Sequence, residues 1–320
     1  MTGVLSTRPP RWQVLLAFAM IYFVWGSTYL AIRVGVRDVP PFLLAALRFL
    51  FAGVALFGWM RLKGTPSPKA SEWGSASLLA VLIFVFDYGL LFWAEERVPS
   101  GLAAVMMATI PVFMAIGEIV VLRTQRVSAR LVLGLLLGVA GVIVLVGQSS
   151  HLGGTGIDTA GAVALIVASI SWSAATMLSR KLPLPAAKTM SSGAQMLSGG
   201  VLLLLASAVL GEFRGFRFQS VSIGAWLALF YLIVAGSIVA FTAYVWLIHH
   251  ESPTKVGTYA YVNPVVAVLV GYFFGSEALG ARTIIGTVLV LVSVVVITTG
   301  NAAAQAQHKI SPVYTESEPA

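Results

Sequence analysis

Ten stretches of the chain are apolar over about the length of a membrane-spanning helix, and short polar or charged segments separate them. They run at 14–35, 42–62, 73–94, 99–122, 130–148, 159–179, 188–211, 222–247, 254–275 and 282–300. A helix rises ~1.5 Å per residue and a bilayer's hydrocarbon core is ~30 Å thick, so about 20 mostly apolar residues cross it. The pattern predicts an all-α integral membrane protein with ten transmembrane helices. Little chain is left for a separate soluble domain. The polar stretch 301–320, with Pro312 and Pro319, reads as a disordered tail.

The first stretch follows Arg8 and Arg11, as the core of a signal peptide would, but it is too long and lacks a clear cleavage site before Arg33. Composition fits the pattern: 58% of the 320 residues are hydrophobic and 10% charged, against roughly 25% charged in soluble domains. The absence of cysteine removes disulfides and thiolate metal sites. A net charge of +8 would suit nucleic acid, yet the basic residues are scattered over the connections between helices. Membrane orientation explains them better, and no nucleic-acid partner is expected. With both termini in the cytoplasm, the inside segments hold Arg8, Arg11, Arg61, Lys63, Lys69, Arg123, Arg126, Arg130, Arg180, Lys181, Lys188, Lys255 and Lys309, and the outside holds Arg33, Arg37, Arg97, Arg214, Arg217 and Arg282. That is 13 against 6, the bias of a multi-pass protein in this orientation.

The two halves repeat. Trp25, Arg33 and Gly53 match Trp172, Arg180 and Gly200 at a shift of 147, where Arg48 falls on Gln195. Trp93 and Pro111 match Trp246 and Pro264 at 153, and Ala129, Arg130 and Gly134 match Ala281, Arg282 and Gly286 at 152. The units are 14–148 and 158–300, each with five helices. Five is odd, so the second copy lies inverted in the membrane. Inverted repeats are a recurring plan of secondary transporters, with the site near the midplane between the halves.

The motifs Trp25-Gly26-Ser27-Thr28-Tyr29, Ala46-Leu47-Arg48-Phe49, Ala94-Glu95 with Val98-Pro99-Ser100-Gly101, Tyr261-Val262-Asn263-Pro264-Val265 and Gly275-Ser276-Glu277 resemble the EamA branch of the drug/metabolite transporter superfamily. The resemblance covers about 14–300 and is similar in kind to the YedA-like bacterial inner-membrane permeases. It implies a ten-helix exporter of amino acids or other small metabolites and drug-like compounds, in the inner membrane, with a central cavity and no cofactor. Thr124 stands near the place where Glu277 would have a first-half counterpart.

Arg48, Asp87 and Glu118 fall inside apolar stretches. Each costs about 2.5–3.5 kcal/mol near a helix centre, so each should face protein or water. Arg48 and Asp87 read either as a structural pair locking two helices or as a substrate site, Arg48 for a carboxylate and Asp87 for an amine or proton. Glu118 is a candidate for proton coupling, or a hydrated group lining an opening. Pro111 and Pro264 sit mid-helix, where proline frees the carbonyls of Met107 and Ala260; they read as matched kinks for gating, with Asn263 beside the second. Tyr22, Trp25 and Tyr29 share a helix face, and Tyr22, Trp25, Trp172 and Tyr259 join Gln195 and Asn263 as candidate substrate contacts. Gly134 and Gly138 allow a tight helix contact, within the chain or in a dimer, so monomer and homodimer both remain open.

An intramembrane enzyme would need a nucleophile–base pair or metal ligands at depth. His151, His249, His250 and His308 all fall in loops or the tail, and no zinc motif, Gly-x-Ser-x-Gly elbow or phosphate loop with lysine is present. No catalytic residue, metal or cofactor is expected. A channel, a lipid-flipping protein and a non-transporting scaffold are the remaining alternatives to a transporter of a small-molecule substrate.

Overall fold

Each apolar stretch becomes a helix, because a chain in hydrocarbon must satisfy its backbone hydrogen bonds within itself. The computed structural model describes residues 9–120, 127–146, 158–179, 181–251, 256 and 259–310, without the side chains of 118, 146, 248, 249, 260, 261 and 297–310. Helices α1 (Arg11–Gly35), α2 (Pro41–Leu62), α3 (Ala70–Glu95), α6 (Thr159–Ser179), α7 (Lys188–Val209) and α8 (Ile223–Leu247) are long and apolar enough to span a bilayer. So is α4, which has two halves, Ser100–Met107 and Ile110–Val120. Helices α5 (Ala129–Val146), α9 (Tyr259–Gly275) and α10 (Ala281–Ile310) carry shorter apolar runs. These ten helices form two inverted sets of five. Helix α10 continues past 300 through Ala302, Ala303, Ala304 and Ala306, strong helix formers with no breaker among them. Residues 311–320, the rest of the expected tail, lie outside the described residues.

Packing follows the repeat. The most extensive helix contacts join α2 to α7 and α5 to α10, helices that hold the same place in each half. Glycine makes both crossings close. A Cβ on Gly53 would lie 2.7 Å from the Leu197 backbone nitrogen, and one on Gly200 would lie 2.7 Å from that of Leu50. Leu50 and Leu197 are themselves related by the shift of 147, so the contact is reciprocal. At the other crossing Gly138 meets Ser293 and Gly141 meets Val290, again exchanging under the shift of 152. Ser293 Oγ donates to the Gly134 carbonyl at 2.6 Å. The glycines of α5 are thus used within the chain.

Three helices widen locally into π turns: Met20–Val24 in α1, Val81–Gly89 in α3 and Leu232–Val239 in α8. The last two hold equivalent places in the two halves. A π turn leaves carbonyls poorly paired within the helix and often marks a functional site. Side chains from the opposite half reach all three. Ser171 Oγ of α6 donates to the Leu82 carbonyl at 2.9 Å, and Trp25 Nε1 of α1 donates to the Gly236 carbonyl at 3.0 Å. Asn263 of α9, with its amide nitrogen toward α1, donates to the carbonyls of Ile21 and Tyr22 at 3.2 Å each.

Candidate functional site

Between the halves lies a cavity of about 270 Å³. Trp25, Arg48, Asp87, Trp172, Gln195, Tyr259 and Asn263 all line it, drawn from six helices. Tyr22 does not. It packs on Phe18, ring centroids 5.6 Å apart, because the π turn rotates the face that it would otherwise share with Trp25 and Tyr29. Tyr29, Tyr88, Tyr244, Phe84 and Ser237 also face the cavity. Carrying the shift of 153 from Asp87 into α8 reaches Ala240, three residues past Ser237, so the repeat alone does not find Ser237.

Arg48 and Asp87 form no ion pair within 4 Å of each other. Arg48 is 3% exposed and Asp87 1%. The Arg48 guanidinium donates from Nε to Ser237 Oγ at 2.9 Å and lies over the rings of Phe49 and Tyr88, 4.9 and 5.3 Å from their centroids. These rings partly compensate the buried cation. Arg48 Nη1 and Asp87 Oδ1 have no hydrogen-bond partner. A buried polar atom without a partner costs about 1–3 kcal/mol, more for charged groups. Two residues that line one space thus carry an unpaired donor and an unpaired acceptor.

Aromatic rings form the walls. Trp25 meets Tyr244 and Tyr259, with ring centroids 5.3 Å apart in both cases, while Trp172 meets Tyr88 edge-on at 6.1 Å. The two tryptophans are repeat partners and each packs against the other half or its neighbour. Gln195, the counterpart of Arg48, donates to Ser191 Oγ at 3.0 Å.

The prolines differ. Pro264 lies inside continuous α9. Pro111 is the second residue of the restarted α4, after a break at Ala108 and Thr109. There Thr109 N–H and Oγ donate to the Met106 carbonyl at 3.1 and 2.7 Å. Ser173 Oγ of α6 donates to the Ile110 carbonyl at 3.1 Å. Neither proline lines the cavity. Glu118 lies on α4, and its side chain is outside the described residues.

At one end of the bundle the described connections α1–α2, α3–α4, α7–α8 and α9–α10 meet. Glu212 accepts from the N–H groups of Phe42 and Leu43 at 3.2 and 2.9 Å, closing the start of α2. Asp38 accepts from Ser222 N–H at 3.0 Å, and hydrogen bonds from Ser222 hold its carboxyl below the usual range. Arg97 Nε lies 3.4 Å from Asp158 Oδ2. Glu277 follows Ser276, whose φ of 55° turns the chain back after α9. Its Oε1 accepts from Ser100 N–H and Oγ at 2.7 Å each, and its Oε2 from Gly101 N–H at 3.0 Å. A carboxylate here satisfies orphan donors and opposes the helix dipole. Glu277→Ala should lower stability by about 1–3 kcal/mol, read as thermal unfolding in detergent, with Glu277→Gln falling between it and the parent.

Residues 11–147 and 159–299 each match the model of the EamA-like transporter family. The chain is 35% identical over 300 residues to the inner membrane transporter YedA of Escherichia coli strain K12, covering 93% of this chain and 94% of that one. It is 26% identical over 287 residues to a transporter of Archaeoglobus fulgidus, covering 88% and 95% respectively. A crystal structure matches in fold with a TM-score of 0.58 at 20% identity, covering 91% of this chain and 98% of the other. With both halves matched, the repeat built as two inverted sets and a relative alike over almost its whole length, the chain belongs to the EamA-like transporter family.

Proposed function

We propose that the protein is a secondary transporter that exports amino acids or similar small zwitterionic metabolites by alternating access through the central cavity. One observation carries this reading: Arg48 and Asp87, each with a buried polar atom that has no partner, line one aromatic-walled space. Arg48 receives the substrate carboxylate, Asp87 its ammonium, and the rings of Trp25, Tyr88 and Trp172 pack on its apolar part. The cavity, at about 270 Å³, falls just below the range of about 300–1,000 Å³ usual for ligand pockets, so the cargo is a small molecule. Both termini are cytoplasmic, and the closed end of the bundle faces outward. The reciprocal crossings of α2 with α7 and α5 with α10 are the natural pivots on which the halves rock.

Two measurements test this. Untargeted metabolomics should show a solute enriched in the medium of cells with the protein over cells without it. Vesicles loaded with that solute should then show saturable counterflow. Flux that never saturates would make the protein a pore, and lipid movement without solute movement would make it a lipid-flipping protein.

A further inference from the structure

The outward closure contains a carboxyl group that its neighbours leave unexplained. Glu95 ends α3 and is fully enclosed, at 0% exposure. Neither of its carboxyl oxygens has a hydrogen-bond partner. Its backbone carbonyl, in contrast, is held. Arg33 Nη1 donates to the carbonyls of Glu95 and Val98 at 2.7 Å each. Arg33 Nε lies 3.6 Å from Glu277 Oε1. One guanidinium of α1 thus ties the α3–α4 turn of the first half to the α9–α10 turn of the second.

Charge balance in this closure is one-sided. Glu277 receives three hydrogen bonds and faces the guanidinium. That uses the positive charge of Arg33. The other charged groups beside the α3–α4 turn are Glu96, Arg97 and Asp158, which pair among themselves. Tyr29 on α1 offers no charge. An ionised Glu95 would therefore be a buried anion with no donor, a situation that proteins avoid by letting the group take up a proton. An open closure admits water and removes the reason to be neutral.

We propose that Glu95 is a proton-binding site that governs the outward closure: its carboxylate takes one proton from the outer solution as the closure forms and returns it when the closure opens. The inference rests on the alternating-access reading for what the closure is for, but it concerns the closure itself. The proton favours the closed state, so acid outside holds the closure shut and alkali loosens it. Between the proton affinities of the open and closed forms, the ratio of open to closed changes by up to about tenfold per pH unit.

The cysteine-free chain makes the test direct. Leu91, 3% exposed, lines the cavity behind the closure, while Ala278 is exposed in the α9–α10 turn. Single-cysteine proteins carrying Leu91→Cys or Ala278→Cys are labelled in spheroplasts with a membrane-impermeant maleimide from pH 5.5 to 8.5, the pH values being roughly the span a carboxyl-linked change can occupy. The Ala278→Cys rate reports the reagent's own pH dependence and verifies that this end faces outward. The ratio of the Leu91→Cys rate to the Ala278→Cys rate should rise several-fold with pH. Adding Glu95→Gln, or Glu95→Leu as a second neutral replacement, should make the ratio low and flat. A flat ratio in the parent, or an unchanged rise with Glu95 neutralised, would overturn the proposal. Neither result touches the transport reading, which counterflow tests separately.

Discussion

Gly53→Ala is expected to destabilise the protein, while Gly58→Ala, just over one turn further along α2, is expected to stabilise it. On propensity alone, alanine gains about 1 kcal/mol over glycine in a helix interior. Gly58 has open space where the new methyl would lie, with nothing within 4 Å, so the gain should appear. At Gly53 the methyl would lie 2.7 Å from the backbone nitrogen of Leu197. A backbone atom cannot rotate aside as a side chain can, so α2 and α7 must separate along a crossing that carries much of the contact between halves. Overpacking of this kind costs about 1–3 kcal/mol and sometimes more, enough to reverse the sign. Gly200→Ala should behave like Gly53→Ala, by the reciprocal contact with Leu50. The double variant should cost less than the sum, because the first substitution already opens the crossing that the second would strain. Thermal unfolding of purified protein in detergent measures all four. Equal effects at Gly53 and Gly58 would mean that the crossing is looser than described.

Arg48→Met is expected to leave the protein folded and abolish most of its transport. Methionine keeps much of the buried aliphatic stem of arginine and removes the guanidinium. What it removes is the donor that bonds Ser237 and the Nη1 that has no partner, on a residue that lines the cavity. If Nη1 meets the substrate carboxylate, its loss leaves that carboxylate desolvated and unpaired. Loss of one member of a buried charged pair costs about 2–5 kcal/mol, which is roughly 30-fold or more in affinity. Counterflow of the identified solute in vesicles, at matched amounts of folded protein, reads the effect. Asp87→Asn should reduce transport as well, and it should spare solutes that lack an amine. Full transport by Arg48→Met would remove Arg48 from the site.

Much of the site was legible because charge inside an apolar stretch stands out, as at Arg48 and Asp87, and because Trp25 and Trp172 recur at one shift. The choice between a locking pair and a substrate site was not legible. It depends on the hydroxyl and ring that reach Arg48 from elsewhere, Ser237 of α8 and Tyr88 of α3, far along the chain. The exit of Tyr22 from the shared face was hidden for a different reason. A π turn changes the angular step between residues without any single residue announcing it. Proline was a partial guide: Pro111 marks a restarted helix, while Pro264 sits within an unbroken one. Which helices Glu212 and Glu277 cap could not be read locally, since each caps a helix of the opposite half.

The reciprocal glycine contacts have a bearing on how such a chain arises. At each crossing, exchanging the two halves returns the same contact, Gly53 on Leu197 for Gly200 on Leu50 and Gly138 on Ser293 for Gly141 on Val290. A surface that maps onto itself in this way is what a two-fold symmetric dimer requires. A lone five-helix half therefore already carries both faces it needs to join an upside-down copy of itself. Joining two such halves in one chain needs only a connection between α5 and α6, and the matched positions can then differ, Arg48 in one half and Gln195 in the other.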